Sequence, residues 1–312
     1  MPAIKTVAVL GILQASGNVG KVAVPALLSA GFVVTVIARP DSTSTYPEGV
    51  TIKTSSYNDL DTLTHVLQGQ DALVEAFNPA AAAHQGVIVR AALAAGVKRL
   101  ITPDFSTDSF SPHAAEVRIF EPKHKAQREL ESLTAAPGCT LTWTAIVLGA
   151  WFDWGIQTGY FWVDKDKRTV TRFGSGNQKV SVSRVASAGE AIVAVLQSPD
   201  KYRNRVAYFA DYAVSTNELI AMLDEMSPVG EWQIVDVPLE DYKKEATALW
   251  EQDTKNGVTN RLFTKAYAML GTAALFDEEN RYDGDFSHKQ EPGSGRPLEN
   301  LKEDLKKLLG YN

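Results

Sequence analysis

Cysteine is nearly absent from this sequence: its 312 residues include one, Cys139, so no disulfide can form within the chain. No Cys and His spacing of the kind that binds zinc occurs. Positive charge is in deficit, because 31 Lys and Arg face 37 Asp and Glu; the net charge of −6 argues against nucleic acid as the main partner. No apolar run approaches the roughly 20 residues that span a bilayer, and no signal-peptide pattern opens the sequence. We therefore expect a soluble, cytoplasmic protein with no metal site and no membrane partner.

The composition otherwise favours a globular protein. Hydrophobic residues make up 45% and charged residues 22% of the chain, which is enough to bury a sizeable core. The first half alternates short apolar runs with segments of helical periodicity. This alternation predicts an α/β fold with a doubly wound parallel sheet, the Rossmann architecture. The predicted strands are 6–10, 32–37, 50–53, 71–76, 97–101 and 141–146, and the predicted helices are 18–30, 60–67, 80–95 and 123–134.

The sequence changes character after residue 148, where aromatic residues cluster. We expect a nucleotide-binding Rossmann domain at 1–150 and a smaller α/β substrate-binding region at 151–312. That region is expected to be discontinuous, because the predicted helix 186–197 returns to the sheet.

A glycine-containing loop separates the first predicted strand from the first helix. A helix N-terminus offers free N–H groups to a phosphate, and glycines let the backbone approach it. We therefore predict dinucleotide binding by this loop, although a tight turn that binds nothing would have the same composition. The spacing of the glycines is unusual, so the loop either bulges or forms a degenerate cofactor site. The predicted cofactor contacts are Gly11, Ser16, Gly17, Asn18, Val19 and Gly20.

The end of the second strand indicates which dinucleotide would bind. NAD enzymes place an acidic residue there against the ribose 2′-hydroxyl, whereas this chain has Arg39, whose guanidinium suits the 2′-phosphate of NADP(H). Ser42 could add a hydroxyl, and Asp41 must turn away. The alternative is a solvated surface arginine. Asn78, which follows the fourth strand, is expected to lie along the cofactor.

Common catalytic motifs are missing. No tyrosine has a lysine four residues after it, so the proton relay of ordinary short-chain dehydrogenases is unavailable. The sequence also has no G-x-S-x-G elbow, no Walker loop and no H-E-x-x-H.

A resemblance to one family fills this gap. The chain resembles the NmrA-like and isoflavone-reductase-like proteins, an atypical branch of the short-chain dehydrogenases, some of which act in secondary metabolism. The matching segments are 15–20 (Ala-Ser-Gly-Asn-Val-Gly), 38–40 (Ala-Arg-Pro), 96–105 (Gly-Val-Lys-Arg-Leu-Ile-Thr-Pro-Asp-Phe), the helix start at Lys123, and 174–189. The match is imperfect where the family carries P-S-E-F-G and this chain has Thr-Pro-Asp-Phe-Ser at 102–106.

The resemblance implies a catalytic lysine. In reductase members, the lysine at the position of Lys123 lies near the nicotinamide ribose and polarises or protonates the substrate. Asp104 follows a strand end and could orient Lys123 or bind substrate. His113 and His124 are the nearest other titratable groups, and a surface lysine is the alternative for Lys123.

Aromatic residues suit a flat, apolar substrate. Phe105, Trp151, Phe152 and Trp154 follow predicted strands and are expected to contact substrate, unless they belong to the core. The first functional hypothesis is an NADPH-dependent reductase of a conjugated, aromatic or alkaloid-like natural product. The second is an NADP(H)-dependent, redox-neutral isomerase or cyclase. The third is a non-catalytic sensor of NADP(H) that regulates a partner protein. No signature selects an oligomeric state, and a homodimer would be unsurprising.

Overall fold

The computed structural model describes residues 3–11, 18–77, 83–160, 162–228, 230–262 and 264–311. Its strands are β1 (Thr6–Leu10), β2 (Val33–Ala38), β3 (Thr51–Thr54), β4 (Ala72–Glu75), β5 (Arg99–Thr102), β6 (Thr142–Val147), β7 (Ala150–Trp151), β8 (Val163–Asp164), β9 (Thr169–Phe173), β10 (Lys179–Ser183), β11 (Arg205–Tyr208), β12 (Tyr212–Ser215) and β13 (Gln233–Val237). Its α-helices are α1 (Asn18–Ser29), α2 (Leu60–Leu67), α3 (Gln85–Ala95), α4 (Glu121–Thr134), α5 (Phe152–Thr158), α6 (Ser187–Gln197), α7 (Thr216–Met226), α8 (Leu239–Lys255), α9 (Lys265–Leu275) and α10 (Leu298–Leu309).

A seven-stranded sheet combines the strands β1 to β6 of the first half of the chain with the later strand β11, in the order β11-β6-β5-β4-β1-β2-β3. The pairs from β6 across to β3 are all parallel. The chain runs outward from β1 in one direction through β2 and β3, and in the other through β4, β5 and β6. The point where the order reverses, between β1 and β4, is where doubly wound folds bind their ligands. The predicted fold class is confirmed.

Burial explains why apolar runs form the central strands. All residues of β4, β5 and β6 are buried, as expected for parallel strands covered by helices on both faces. The edge strand β3 is different, since Ile52 on it is 55% exposed. The predicted helix 60–67 coincides with α2, and the predicted helix at Lys123 begins two residues earlier, at Glu121. Part of the predicted helix 80–95, residues 80–82, lies outside the described residues.

The chain divides into two compact units that alternate along the sequence. The first unit comprises Met1–Phe105, Glu121–Ile146 and Val185–Ala207, and the second comprises Ser106–Phe120, Val147–Arg184 and Tyr208–Asn312. Within the first unit α6 packs closely against α1. Glycine at position 189 permits this approach, since an added Cβ would lie 2.6 Å from the Val22 carbonyl oxygen. The boundary predicted from sequence was a single one at residue 150, with one helix returning to the sheet.

The second unit contains two three-stranded sheets, ordered β12-β10-β7 and β13-β9-β8. Its core is built on apolar residues of these sheets and of α5, α7, α9 and α10, among them Val170, Val180, Val214 and Leu275. The Trp162 indole donates a hydrogen bond of 3.1 Å to Thr216 Oγ1, which satisfies the polar atom of this buried ring. No helix among the described residues combines the length and the apolar composition needed to cross a bilayer.

Candidate active site

Gly11 begins the predicted cofactor loop immediately after β1. Its φ is +95°, and a Cβ added there would lie 2.6 Å from the backbone nitrogen of Phe77. Glycine is therefore required at this position, both for its backbone conformation and for the close approach of the chain that follows β4. Ser16 and Gly17 lie outside the described residues.

The other end of the loop is the start of α1. The helix begins at Asn18, which is partly exposed, and continues with the buried residues Val19 and Gly20. The structure therefore places a helix N-terminus beside the first strand, as the sequence predicted for the loop. Asn78 lies outside the described residues.

Tyr57, which the sequence analysis did not single out, packs against this strand end. Its hydroxyl hydrogen-bonds to the backbone of Gly11, and burial raises the pKa of Tyr57 to about 12. Its ring lies 6.0 Å from that of Phe77, measured between centroids. Its place shortly after a strand end, at the edge where ligands bind, was the signal that could have found it.

Arg39 follows β2 and remains accessible. Its side chain is 42% exposed, and its Nε lies 3.6 Å from Oδ1 of Asp41, which is 75% exposed. An exposed pair of this kind contributes at most about 1 kcal/mol, so the guanidinium can exchange this partner for a phosphate. Ser42 and Tyr46 join their hydroxyls in a hydrogen bond of 3.1 Å beside it.

Lys123 and Asp104 form a buried ion pair. Lys123 Nζ lies 3.4 Å from Asp104 Oδ1, and the two side chains are 9% and 7% exposed. Thr102 Oγ1 donates a hydrogen bond of 2.8 Å to Asp104 Oδ2. Because Lys123 lies in the first turn of α4, the helix dipole disfavours its positive charge, and the carboxylate compensates for this. The structure thus brings together the two residues for which the sequence predicted catalytic roles.

A second carboxyl group, also missed by the sequence analysis, lies beside this pair. Glu75 ends β4, is fully buried, and accepts a hydrogen bond of 2.7 Å from Gln85 Nε2. Its Oε1 has no hydrogen-bond partner among the described residues. Burial, reinforced by the negative charge of Asp104, raises the pKa of Glu75 well above its usual range. An acidic residue at the end of an otherwise apolar strand was the available signal.

The histidines are placed differently from Lys123. His113 is exposed and its Nδ1 lies 2.9 Å from Glu116 Oε1, within the second unit. His124 follows Lys123 on α4 and is partly exposed. Among the described residues, no group of three or more His, Cys, Asp or Glu side chains is arranged to hold a metal ion.

The predicted aromatic contacts fall into two groups. Phe105, in the first unit, is 3% exposed, and Phe152, in the second, is also 3% exposed and packs edge-to-face with Tyr212 in the core. Trp151 and Trp154 are partly exposed. Core packing accounts for Phe152, and contact with substrate stays a prediction for all four aromatic residues.

Comparison with known proteins identifies the family. The sequence profile of a family described as NAD(P)H-binding matches residues 15–199. The chain belongs to this family. The cofactor class predicted from the glycine loop and Arg39 is thereby confirmed at the level of NAD(P)H.

Two fungal proteins are similar in sequence. The oxidoreductase poxI of Penicillium oxalicum is 34% identical over 208 residues, which span 66% of this chain and 66% of that protein. The oxidoreductase aprR of Aspergillus flavus is 28% identical over 238 residues, which span 75% of this chain and 79% of that protein. The chain thus matches just under two thirds of the length of the first relative.

Solved structures share the fold over nearly the whole chain. The leucoanthocyanidin reductase–NADPH complex of Vitis vinifera superposes with a TM-score of 0.73 at 17% identity, covering 98% of this chain and 99% of that one. AtPrR2 with NADP+ and (+)pinoresinol gives a TM-score of 0.72 at 17% identity, covering 99% of each chain. An isoflavone reductase gives 0.67 at 18% identity, covering 97% of this chain and 95% of that one. These structures confirm the predicted resemblance to isoflavone-reductase-like proteins at the level of the fold.

Proposed function

We propose that this protein is an NADPH-dependent reductase that acts on a conjugated or aromatic natural product. The observation that carries the proposal is the buried Lys123–Asp104 pair in an NAD(P)H-binding fold. Asp104 lies just beyond the carboxyl end of β5, at the edge of the parallel sheet where such folds bind ligands. A buried charged pair at this edge is typical of a functional site.

The described residues fit NADPH. Gly11 brings the backbones that follow β1 and β4 within contact at the point where strand order reverses, and α1 presents its N-terminus there. Arg39 offers a guanidinium that an exposed carboxylate holds only weakly. When bound, NADPH supplies a hydride.

Lys123 would act on the substrate rather than on the cofactor phosphates. Its ammonium group can stabilise negative charge that develops on a substrate oxygen or nitrogen, and can donate a proton to that atom. Asp104 orients the ammonium, and Thr102 fixes Asp104 through the hydrogen bond to Oδ2. The chain's own contribution is therefore orientation and a proton beside the reacting group.

Proteins similar to this chain support an aromatic compound as the substrate. Both fungal relatives are named oxidoreductases, and a structural neighbour was solved with (+)pinoresinol. In this chain Trp151 and Trp154 keep part of their surface exposed, as residues that contact a flat substrate would. We infer a planar aromatic or alkaloid-like compound of secondary metabolism that carries a conjugated C=C, C=N or carbonyl group.

The first test is calorimetric titration of the purified protein with NADPH, NADP+ and NADH. We expect low-micromolar binding of NADPH and NADP+ and weak binding of NADH. Failure of all three to bind would refute the proposal. The second test is a screen of aromatic compounds with conjugated double bonds, monitored by NADPH absorbance.

A lysine variant then tests the chemistry. Lys123→Met keeps most of the apolar stem and removes the ammonium group, so we expect turnover to fall by about 10²- to 10⁴-fold. Lys125→Met changes an exposed lysine on the same helix and is the matched control. Turnover without net loss of NADPH would indicate redox-neutral chemistry instead, and binding without turnover on any compound would indicate a sensor.

A further inference from the structure

Two carboxyl groups and one ammonium group share the carboxyl ends of β4 and β5. Asp104 contacts Lys123 across 3.4 Å, and Glu75 lies close enough to Asp104 for their charges to interact. Glu75, Asp104 and Lys123 are 0%, 5% and 8% exposed. One buried cation neutralises one buried carboxylate, so ionisation of both acids would leave an uncompensated charge away from water.

The two acids differ in the contacts that they make. Asp104 has the ion pair with Lys123 and the hydroxyl of Thr102, and both stabilise a carboxylate. Glu75 has the uncharged amide of Gln85 on Oε2, and no hydrogen-bond partner on Oε1 among the described residues. A proton shared between two neighbouring acids resides on the one whose anion is less stabilised, which here is Glu75.

We propose that Glu75 is a positioning residue that works as a neutral acid and leaves Asp104 as the carboxylate that faces Lys123. This inference rests on the proposed function, because it concerns the lysine that would act on the substrate. An ionised Glu75 would add a second negative charge beside Asp104. That charge would oppose an anionic cofactor at the same edge of the sheet.

The groups packed around Glu75 are consistent with this role. Beyond β5 the charged group is Asp104, which forms an ion pair with Lys123 of α4. On α3 the group that contacts Glu75 is the amide of Gln85. Tyr57 also lies within electrostatic reach, and burial keeps its hydroxyl protonated in the neutral range. In this cluster the ammonium group of Lys123 is paired with Asp104.

Infrared difference spectroscopy of the whole protein tests the protonation state without cofactor or substrate. The wild-type minus Glu75→Gln spectrum at pH 7 is expected to contain the C=O stretch of a protonated carboxyl. Asp108, another buried acid whose pKa is raised by burial, cancels in this difference. The matched control is Glu48→Gln, which changes an exposed glutamate of the same unit. This variant keeps the protonated carboxyl, so the wild-type minus Glu48→Gln spectrum should not contain the band. A wild-type minus Glu75→Gln spectrum without this band at pH 7 overturns the proposal.

Two further variants shift the band in opposite directions, and they remain informative if Glu75→Gln does not fold. Asp104→Asn removes the neighbouring negative charge, so the band should disappear at a lower pH than in the wild type. The hydrogen bond from Gln85 to Oε2 favours the ionised form of Glu75. Gln85→Leu removes this hydrogen bond, so the band should persist to a higher pH. Failure of both variants to move the titration would contradict the cluster.

Binding of NADPH tests the link to function. We would measure the dissociation constant from pH 6 to beyond the pH at which the band disappears. Once Glu75 ionises, the wild-type constant should rise by up to about tenfold per pH unit, while that of Glu75→Gln should not. Equal pH profiles would refute the positioning role. If the wild type does not bind NADPH, the proposed function fails, and the infrared titration still decides the state of Glu75.

Discussion

Replacement of Gly11 by alanine is expected to disturb the end of β1 more than an ordinary glycine substitution would. The φ of Gly11 is +95°, and an added Cβ would lie 2.6 Å from Phe77 N, 2.7 Å from Phe77 Cα and 2.7 Å from the carbonyl carbon of Ala76. All three are backbone atoms, so no rotamer change can relieve the overlap. The chain that follows β4 must move away from β1 at the point where strand order reverses.

A second glycine separates the two causes of strain. Gly69 also has a positive φ, +79°, but a Cβ added there meets nothing within 4 Å. Gly69→Ala should therefore lower the free energy of unfolding by the backbone contribution alone, about 1–2 kcal/mol. Gly11→Ala adds an overpacking contribution of about 1–3 kcal/mol, for a total of about 2–5 kcal/mol.

Chemical unfolding and NADPH titration of both variants measure this difference. We expect Gly69→Ala to keep the wild-type affinity for NADPH and Gly11→Ala to lose at least about tenfold, because the loop begins at Gly11. Equal destabilisation of the two variants would mean that the backbones separate at no free-energy penalty. Unchanged NADPH affinity in Gly11→Ala would refute the assignment of the loop as cofactor site.

Three other predictions concern charge. Arg39→Ala should weaken NADPH binding by about 10- to 100-fold and leave NADH binding nearly unchanged, since a hydrogen-bonded charge contact is worth about 1.5–3 kcal/mol; calorimetry at fixed salt measures both. Lys289→Met leaves Asp108, whose side chain is 0% exposed, without its cation, and should lower the free energy of unfolding by about 3 kcal/mol at pH 8 and less at pH 5, where the acid can protonate. The raised pKa of Glu75 means that the folded protein keeps a proton that the unfolded chain loses above about pH 4.5. The free energy of unfolding of the wild type should therefore fall with rising pH by up to about 1.4 kcal/mol per pH unit. Glu75→Gln should remove this decline, which hydrogen exchange of the β1 and β4 amides measures.

Each of these has a matched control. Arg90→Ala changes an exposed arginine of α3 and should leave the affinities for NADPH and NADH unchanged. Lys265→Met breaks a pair whose side chains are 68% and 53% exposed, so its effect should stay below about 1 kcal/mol. Glu48→Gln should keep the wild-type pH dependence. Parallel pH profiles of the wild type and Glu75→Gln, or equal losses from Lys289→Met and Lys265→Met, would contradict the burial arguments.

The inner part of the central sheet was predictable from sequence because the strands β4, β5 and β6 are fully buried. Continuous apolar runs with no polar face identify such strands, and Gly96 and Gly31 end the preceding helices with a positive φ, as helix ends with glycine usually do. The second unit was much less predictable. Its strands β7 and β8 have two residues each, too short to show any periodicity, and β7 pairs with β10, which lies beyond β8 and β9 in the sequence.

The site divides in the same way. Lys123 and Asp104 were found because a family motif and a strand end mark them, and the structure pairs them. Glu75 and Tyr57 were missed because their roles depend on neighbours brought together by the fold: Gln85 and Asp104 for the first, and the backbone of Gly11 for the second. A local pattern indicates that a residue is buried, but not which charges surround it.

The distribution of charge in the first unit separates recognition from chemistry. With Glu75 neutral, as proposed above, the charges of Lys123, Asp104 and Glu75 sum to zero, so this buried cluster would exert little long-range attraction on a dinucleotide that carries several negative charges. Arg39 is different, because its pair with Asp41 is exposed and weak. We therefore expect the cofactor to be attracted by Arg39 and the start of α1 rather than by the buried cluster. In the proposed reductase, Lys123 would give a proton to the substrate without weakening cofactor binding, because its charge is already balanced by Asp104.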